Sequence, residues 1–170
     1  MKTRIILALI VLIFPIVYSI VEVRESEAYV GLSWLKERMN KEDRFDSLIA
    51  YYAEKFGRDP RQVKRQLRAE SNFDSTAVST MGAAGLAQFV ETTWGEWGTS
   101  NFNDASNPDF AIEAHCKYMN WLEKRLGNLK LALAAYNFGI GNVERKRPWP
   151  RETREYVKKC LAYEDEIIAA

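Results

Sequence analysis

Residues 68–89 have the sequence RAESNFDSTAVSTMGAAGLAQF, in which the end of a predicted helix is followed by turn-forming residues and a glycine-rich segment. Helical spacing places Glu70 on the same inward stripe as Val63 and Leu67. A buried carboxylate costs free energy unless it is paired, and burial favours its protonated form. On helix position alone, a half-solvated Glu70 paired with a nearby arginine explains this pattern better than a functional acid does.

The segments before this stretch have a helical pattern. A first helix is predicted over residues 41–56, whose apolar residues recur at helical spacing. Gly57 can end this helix in a left-handed conformation. Asp59 then provides the N-cap of a second helix, with Pro60 in its first turn, and this second helix carries Glu70.

The segments after the stretch are also predicted to be helical. A short helix is expected from about Leu86, carrying Gln88 and Phe89, whereas residues 94–98 (WGEWG) fit either a helix or an aromatic loop. The remaining predicted helices run from Asn107-Pro108 to Leu126, over residues 129–138 and over residues 152–168. No run with the two-residue period of a strand is long enough to predict one, so the fold class is all-α.

Length and composition indicate one domain without a marked charge. A chain of 170 residues with 47% hydrophobic content can build one domain with a core, but not two. The formal charge of +1 gives no electrostatic reason to expect nucleic-acid binding. One histidine and two cysteines are too few for a histidine-rich metal site or a zinc cage. The 12% aromatic content fits either a dense core or surfaces on which sugars stack.

The first residues have the pattern of an export signal. Lys2 and Arg4 precede an apolar run over residues 5–21, which Pro15 interrupts. The run is apolar on every face, which disfavours a helix of the domain core, and its length fits either a cleaved signal or a retained anchor. In both cases the body of the protein lies outside the cytoplasm. The predicted division is a signal peptide or signal-anchor (1–21), a linker (22–40) and a catalytic domain (41–170).

Three motifs, in order, resemble one known family. Glu70-Ser71, Ala77-Val78-Ser79 and residues 82–88 (GAAGLAQ) resemble the signature of the soluble lytic transglycosylase family. Residues 133–139 (LAAYNFG) are similar to its alanine–tyrosine–asparagine motif, and residues 152–157 (ETREYV) resemble its C-terminal motif. The likeness spans roughly residues 43–161 and reverses the preference for a solvated Glu70.

This resemblance implies a goose-lysozyme-like, mainly helical fold with a substrate groove. It also implies cleavage of the β-1,4 bond between N-acetylmuramic acid and N-acetylglucosamine in peptidoglycan, without a cofactor or a metal. Matched position by position, Glu70 corresponds to the family's single catalytic acid. The matched substrate-binding positions are Ser79, Gly85, Gln88, Tyr136, Asn137 and Tyr156.

The chain departs from the family pattern in a few places. Ala87 stands where the family commonly has methionine, and residues 89–91 (FVE) replace a leucine–methionine–proline run. Phe138 replaces a usually small residue, and Arg151 lies in an altered proline loop. These departures bear on subsite preference, including that for peptide-substituted glycan, and not on the reaction.

The residues favour a mechanism with one carboxylate. Most glycosidases use two, but the nearest second acid in the sequence, Asp74, lies among turn-formers and is predicted to be a turn or cap residue. Burial is expected to raise the pKa of Glu70 to about 6. Glu70 would then protonate the leaving oxygen while the substrate's N-acetyl group stabilises the sugar cation. The ionised Glu70 would next take the proton of the muramic C6 hydroxyl, which closes a 1,6-anhydro ring.

Side chains around the acid are given supporting roles. Tyr136 is expected to hold Glu70 through a hydroxyl hydrogen bond, while Ser79 and Gln88 hold the acetamide and ring hydroxyls of the substrate.

His115 lies on a buried stripe and is predicted to be structural. Cys116 and Cys160 lie on separate helices; an exported location permits a disulfide, and two buried free thiols fit equally well.

The sequence leaves the biological role open. A hydrolytic muramidase and a non-enzymatic glycan-binding or assembly protein are the rival functions, and the intact Glu70 argues against the second. A phage endolysin held by its signal-anchor and a bacterial enzyme that opens the wall locally for secretion or conjugation both fit.

The expected partners are peptidoglycan strands and, if the N-terminal segment is retained, the inner membrane. The chain is expected to act as a monomer in the periplasm or on the outer face of the inner membrane, and in the host periplasm if it is phage-encoded.

Overall fold

A computed structural model describes residues 43–162 of the chain. The predicted signal or anchor (1–21), the linker (22–40), the first two residues of the first predicted helix and residues 163–168 of the last one lie outside this range. Among the described residues, no helix is both long enough and apolar enough to cross a bilayer.

The described residues form seven α-helices and one 3₁₀-helix, and no β-strand is found among them. The elements are α1 (Asp46–Lys55), α2 (Pro60–Ser71), α3 (Glu91–Trp97), a 3₁₀-helix (Phe102–Ser106), α4 (Pro108–Leu126), α5 (Leu129–Phe138), α6 (Ile140–Glu144) and α7 (Arg151–Leu161). The prediction of an all-α fold is therefore confirmed, and residues 94–98 belong mostly to a helix. The 3₁₀-helix and α6 were not predicted.

Helix α5 lies at the centre of this arrangement. It packs against α4, α6 and α7, and Ala132, Leu133, Ala134 and Ala135 are all fully buried. Small side chains let neighbouring helices approach closely, because interaxial distance depends on the residues at the contact. The alanine-rich sequence of α5 thus allows it to serve as the shared partner of three helices.

Helix α2 begins and ends as its sequence predicts. The Asp59 side chain accepts a hydrogen bond from the Arg61 N–H, and Asn72 ends the helix in the left-handed conformation. Val63 and Leu67 are fully buried, and the helix packs between α1 and α7. The last turn, which carries Glu70, is thereby brought against α7.

The predicted short helix from Leu86 is wrong, and the next helix begins only at Glu91. Two isolated bridges, Val78 with Ala84 and Ala84 with Phe89, replace it. Gly85 and Gln88 have positive φ angles of 74° and 48°, which cannot continue a right-handed helix. Residues 72–90 therefore form a folded loop held by backbone hydrogen bonds.

We expect Gly85→Ala to lower the free energy of unfolding by about 3 kcal/mol. A Cβ atom at Gly85 would overlap the carbonyl oxygen of Ala105, and the positive φ adds strain. Gly82→Ala is the matched control, since its φ is +77° but nothing lies within 4 Å of its Cβ position. The control should cost only about 1 kcal/mol. Equal losses for the two variants in urea unfolding would contradict a steric role for Gly85.

Candidate functional site

A cavity of about 780 Å³ opens where the end of α2, the folded loop, α5 and α7 meet. Its lining includes Glu70, Ser79, Gln88, Tyr136, Asn137 and Tyr156. Six of the seven residues selected from the sequence therefore share one cavity, although they are spread between positions 70 and 156 of the chain. The exception is Gly85.

Glu70 is a half-buried acid in the wall of this cavity. The pKa of its carboxyl is raised from 4.5 to about 7. Burial is the largest cause of this net rise, a hydrogen bond with Tyr156 opposes it, and the charge of Glu152 adds to it. Its Oε1 atom is buried and has no hydrogen-bond partner among the described residues. A carboxyl group in this state holds its proton near neutral pH and still lies at the surface of a cavity, as a general acid requires.

The tyrosine that contacts Glu70 is Tyr156, and the prediction for Tyr136 is wrong. The Tyr136 hydroxyl donates to the backbone carbonyl of Ala87 at 2.7 Å, so its single proton is used there. Tyr156 lies on α7 and is buried, and the Gln66 side-chain amide donates to its hydroxyl oxygen at 3.4 Å. Both tyrosines line the cavity. The packing of α7 on α2 determines that Tyr156, rather than Tyr136, contacts Glu70.

Two other acids, Glu152 and Glu155 on α7, line the cavity with Glu70. The charge of Glu152 raises the pKa of Glu70. Asp74 has the predicted turn role instead, because its Oδ1 accepts hydrogen bonds from the Thr76 backbone N–H at 2.9 Å and from the Thr76 hydroxyl at 2.8 Å. The prediction that Asp74 is a turn residue agrees with these bonds, whereas the acids of α7 were not selected from the sequence.

Ser79 and Gln88 brace the loop and also face the cavity. The Ser79 hydroxyl oxygen accepts from the backbone N–H groups of Ala83 and Met81 at 3.0 and 3.3 Å. The Gln88 amide nitrogen donates to the carbonyls of Ala77 and Gly85 at 3.2 and 2.9 Å. These bonds leave the Ser79 O–H as a donor and the Gln88 side-chain oxygen as an acceptor for a ligand.

Asn137 and Gly85 have different positions relative to the cavity. The Asn137 side-chain oxygen accepts from the Thr153 hydroxyl at 2.7 Å, which ties α5 to α7 and leaves its amide N–H₂ for a ligand. Gly85 is buried beside Ala105, outside the cavity lining. Position 85 requires a glycine because the two backbone segments pack too closely there for a Cβ atom.

Several residues of the cavity were not selected from the sequence. They include Thr80, Met81, Thr93, Tyr118, Phe138, Glu155 and Lys159. Glu152, Glu155, Tyr156 and Lys159 are spaced at positions i, i+3, i+4 and i+7, so they share one face of α7. That spacing was a signal in the sequence that could have identified the face.

His115 and the cysteines are buried away from the cavity lining. Desolvation and the charge of Arg58 lower the pKa of His115 to about 3, so the ring is neutral, and it packs with its centroid 5.3 Å from that of Tyr136. The prediction of a structural histidine agrees with this placement. Cys116 and Cys160 are both buried free thiols, and burial raises the pKa of each to about 12.

Within residues 43–162, no group of three or more His, Cys, Asp and Glu side chains is arranged to hold a metal ion.

Comparison with known proteins gives consistent relatives. The chain is 31% identical over 127 residues to membrane-bound lytic murein transglycosylase F of Marinobacter nauticus, covering 70% of this chain and 25% of that protein. It is 32% identical over 115 residues to membrane-bound lytic murein transglycosylase D of Escherichia coli, covering 56% of this chain and 25% of that protein. The chain thus spans about a quarter of the length of these relatives.

A solved structure and a family model complete the comparison. The 70 kDa soluble lytic transglycosylase SLT70 of Escherichia coli superposes with a TM-score of 0.64 at 25% identity, over 70% of this chain and 23% of that one. Residues 47–157 match the model of the Transglycosylase SLT domain. These residues include Glu70 and every other selected position of the site. The chain therefore belongs to the Transglycosylase SLT domain family.

Proposed function

We propose that this protein is a peptidoglycan lytic transglycosylase. It cleaves the β-1,4 bond between N-acetylmuramic acid and N-acetylglucosamine and leaves a 1,6-anhydromuramic end. The observation that carries this proposal is Glu70, a half-buried cavity acid whose pKa is about 7. The names of the relatives support the same substrate and reaction class.

In the proposed reaction Glu70 acts first as an acid and then as a base. The neutral carboxyl donates its proton to the glycosidic oxygen as the bond from that oxygen to the muramic C1 breaks. The substrate's own N-acetyl group stabilises the resulting sugar cation. The Glu70 carboxylate then removes the proton of the C6 hydroxyl, whose oxygen bonds to C1. The acid is regenerated and no water is consumed.

The neighbours of Glu70 suit this alternation between two protonation states. Tyr156 stabilises the ionised form through its hydrogen bond, whereas burial and Glu152 stabilise the neutral form. A pKa near the working pH allows the same group to give and to take a proton. Ser79, Gln88 and Asn137 present a donor, an acceptor and a donor to the cavity, which suits hydroxyl and acetamide groups of a sugar.

Hydrolysis by the same site is the second candidate. Glu152 supports it, because a second carboxylate in the cavity could activate a water molecule in the manner of two-carboxylate glycosidases. The products distinguish the two reactions, since an anhydro end is one water lighter than a hydrolysed end.

The setting of the reaction is proposed from the N-terminal sequence and the relatives. An export signal or anchor places the domain in the periplasm or on the outer face of the inner membrane, and the relatives are named as membrane-bound enzymes. Both proposed roles, phage lysis and local opening of the wall, need glycan cleavage in that cellular location. Action as a monomer stays a prediction.

We expect Glu70→Gln to lower the rate of glycan cleavage at least about 100-fold, the typical contribution of a general acid. Glu54→Gln is the matched control, because Glu54 is exposed on α1 and outside the cavity lining. Purified, uncross-linked glycan strands are digested and the products are weighed by mass spectrometry. Anhydro products are expected from the wild type. Unchanged cleavage by Glu70→Gln would refute the catalytic assignment, and hydrolysed ends would favour the second candidate.

Two further substitutions should move the pH profile in opposite directions. Activity requires protonated Glu70, so it should fall as the pH rises above about 7. Tyr156→Phe removes the hydrogen bond that lowers the Glu70 pKa, so this alkaline limb should move to higher pH. Glu152→Gln removes the charge that raises the pKa, so the limb should move to lower pH. Shifts in the same direction for both variants would show that these contacts do not set the Glu70 pKa.

The raised pKa of Glu70 also predicts a pH-dependent gain of stability in Glu70→Gln. Below pH 4.5 the carboxyl is neutral in the folded and the unfolded chain, so it adds no cost. Between pH 4.5 and about 7 only the unfolded chain ionises, which destabilises the fold progressively. Above about pH 7 the cost is constant, at about 3 kcal/mol. Urea unfolding should therefore show that the variant gains about 3 kcal/mol over the wild type between pH 4 and pH 8. A difference that does not change with pH would contradict the buried, protonated state.

A further inference from the structure

Three aromatic side chains form a continuous group that connects the cavity to the protein surface. Tyr118 and Trp121 on α4 have nearly parallel rings, 6.1 Å apart between centroids with an interplanar angle of 19°. Trp97, at the end of α3, lies 5.1 Å from Tyr118 and 5.3 Å from Trp121. Tyr118 lines the cavity, whereas Trp121 is 40% exposed. We call these three residues the aromatic shelf.

The shelf continues the cavity wall along two helices. Thr93 of α3 lines the cavity, and Trp97 follows it by four residues on the same helical face. Tyr118 of α4 lines the cavity, and Trp121 follows it by three residues. A ligand that lies along the cavity and leaves it past Thr93 and Tyr118 therefore meets Trp97 and Trp121 next.

We propose that the aromatic shelf binds the glycan strand outside the cavity and so favours long strands over short fragments. This inference deepens the proposed function and rests on it. A pyranose ring has an apolar C–H face and a polar edge, and the flat face of a tryptophan complements such a group. A polymeric substrate must extend past a cavity of about 780 Å³, and the shelf lies where such a strand would continue.

The size of the shelf favours a sugar over a protein partner. A stable protein interface buries about 800 Å² on each side. The shelf exposes less than half of one tryptophan and smaller parts of two other rings, because Tyr118 is buried and Trp97 is half-buried. That area suits one or two sugar rings. An exposed tryptophan that already contacts two aromatic rings is also held in place, which lowers the entropy lost when a ligand binds.

The test compares binding of long and short glycans to Trp121→Ala. Binding of the long and of the short glycans is measured by calorimetry in the Glu70→Gln background, so that the ligand is not consumed. We expect Trp121→Ala to weaken binding of long, uncross-linked glycan strands roughly three- to tenfold, the range of one aromatic contact. Binding of a tetrasaccharide of the same composition should change by less than about twofold, because the cavity alone holds it.

Two variants serve as controls for this measurement. Trp121→Phe keeps an aromatic face and should restore most of the preference for long strands, which a merely structural role of Trp121 would not require. Tyr51→Ala removes another exposed aromatic, 59% exposed on α1 and outside the cavity lining, and should leave both affinities as they are. Thermal unfolding of each variant confirms that it is folded.

The outcomes separate this inference from the proposed function. Equal weakening for long and short ligands, or long-strand affinity within twofold of the parent protein, overturns the shelf. If Trp121→Ala does not fold, Trp121→Leu decides, because it keeps an apolar side chain without an aromatic face; a long-strand affinity within twofold of the parent protein in that variant would also overturn the shelf. A wild-type protein that binds long strands in preference to short ones but does not cleave them would refute the proposed function and keep the shelf.

Discussion

Burial of one carboxyl group, that of Glu70, is the constraint on which the functional part of the structure depends. The group lies at the last turn of α2, where helix packing against α7 leaves its Oε1 atom buried. Desolvation alone favours the neutral form, and the hydrogen bond from Tyr156 partly restores the ionised one. The resulting pKa of about 7 is a property of the packed helices, because the same glutamate in an exposed helix would ionise well below neutral pH.

The rest of the site serves to hold this acid beside an open cavity. The loop between α2 and α3 is braced by its own side chains, with Ser79 and Gln88 hydrogen-bonded to backbone groups. The Asn137–Thr153 hydrogen bond joins α5 to α7 on the opposite wall. Each of these residues uses only part of its hydrogen-bonding capacity within the protein. The same side chains therefore stabilise the walls and offer polar groups to a ligand.

Local patterns predicted the long helices well and the loop poorly. Asp59-Pro60, Asn107-Pro108 and Gly127 mark helix ends through capping groups that lie within a few residues of them. The segment around Gln88 was predicted to be helical, but Gln88 has a left-handed conformation and its side chain donates a hydrogen bond to the Ala77 carbonyl, eleven positions earlier. Interactions between segments overrode the local preference there.

The sequence by itself determined the helical class, most helix boundaries, the family resemblance and the choice of Glu70 as the candidate acid, because each depends on spacing along the chain. Only the tertiary structure decided which tyrosine contacts Glu70, which carboxylate raises its pKa and why Gly85 must be glycine. Tyr156 and Glu152 reach Glu70 through the packing of α7 on α2, and Gly85 meets Ala105 across a loop. These distances depend on how elements far apart in sequence pack together, and helical periodicity carries no information about them.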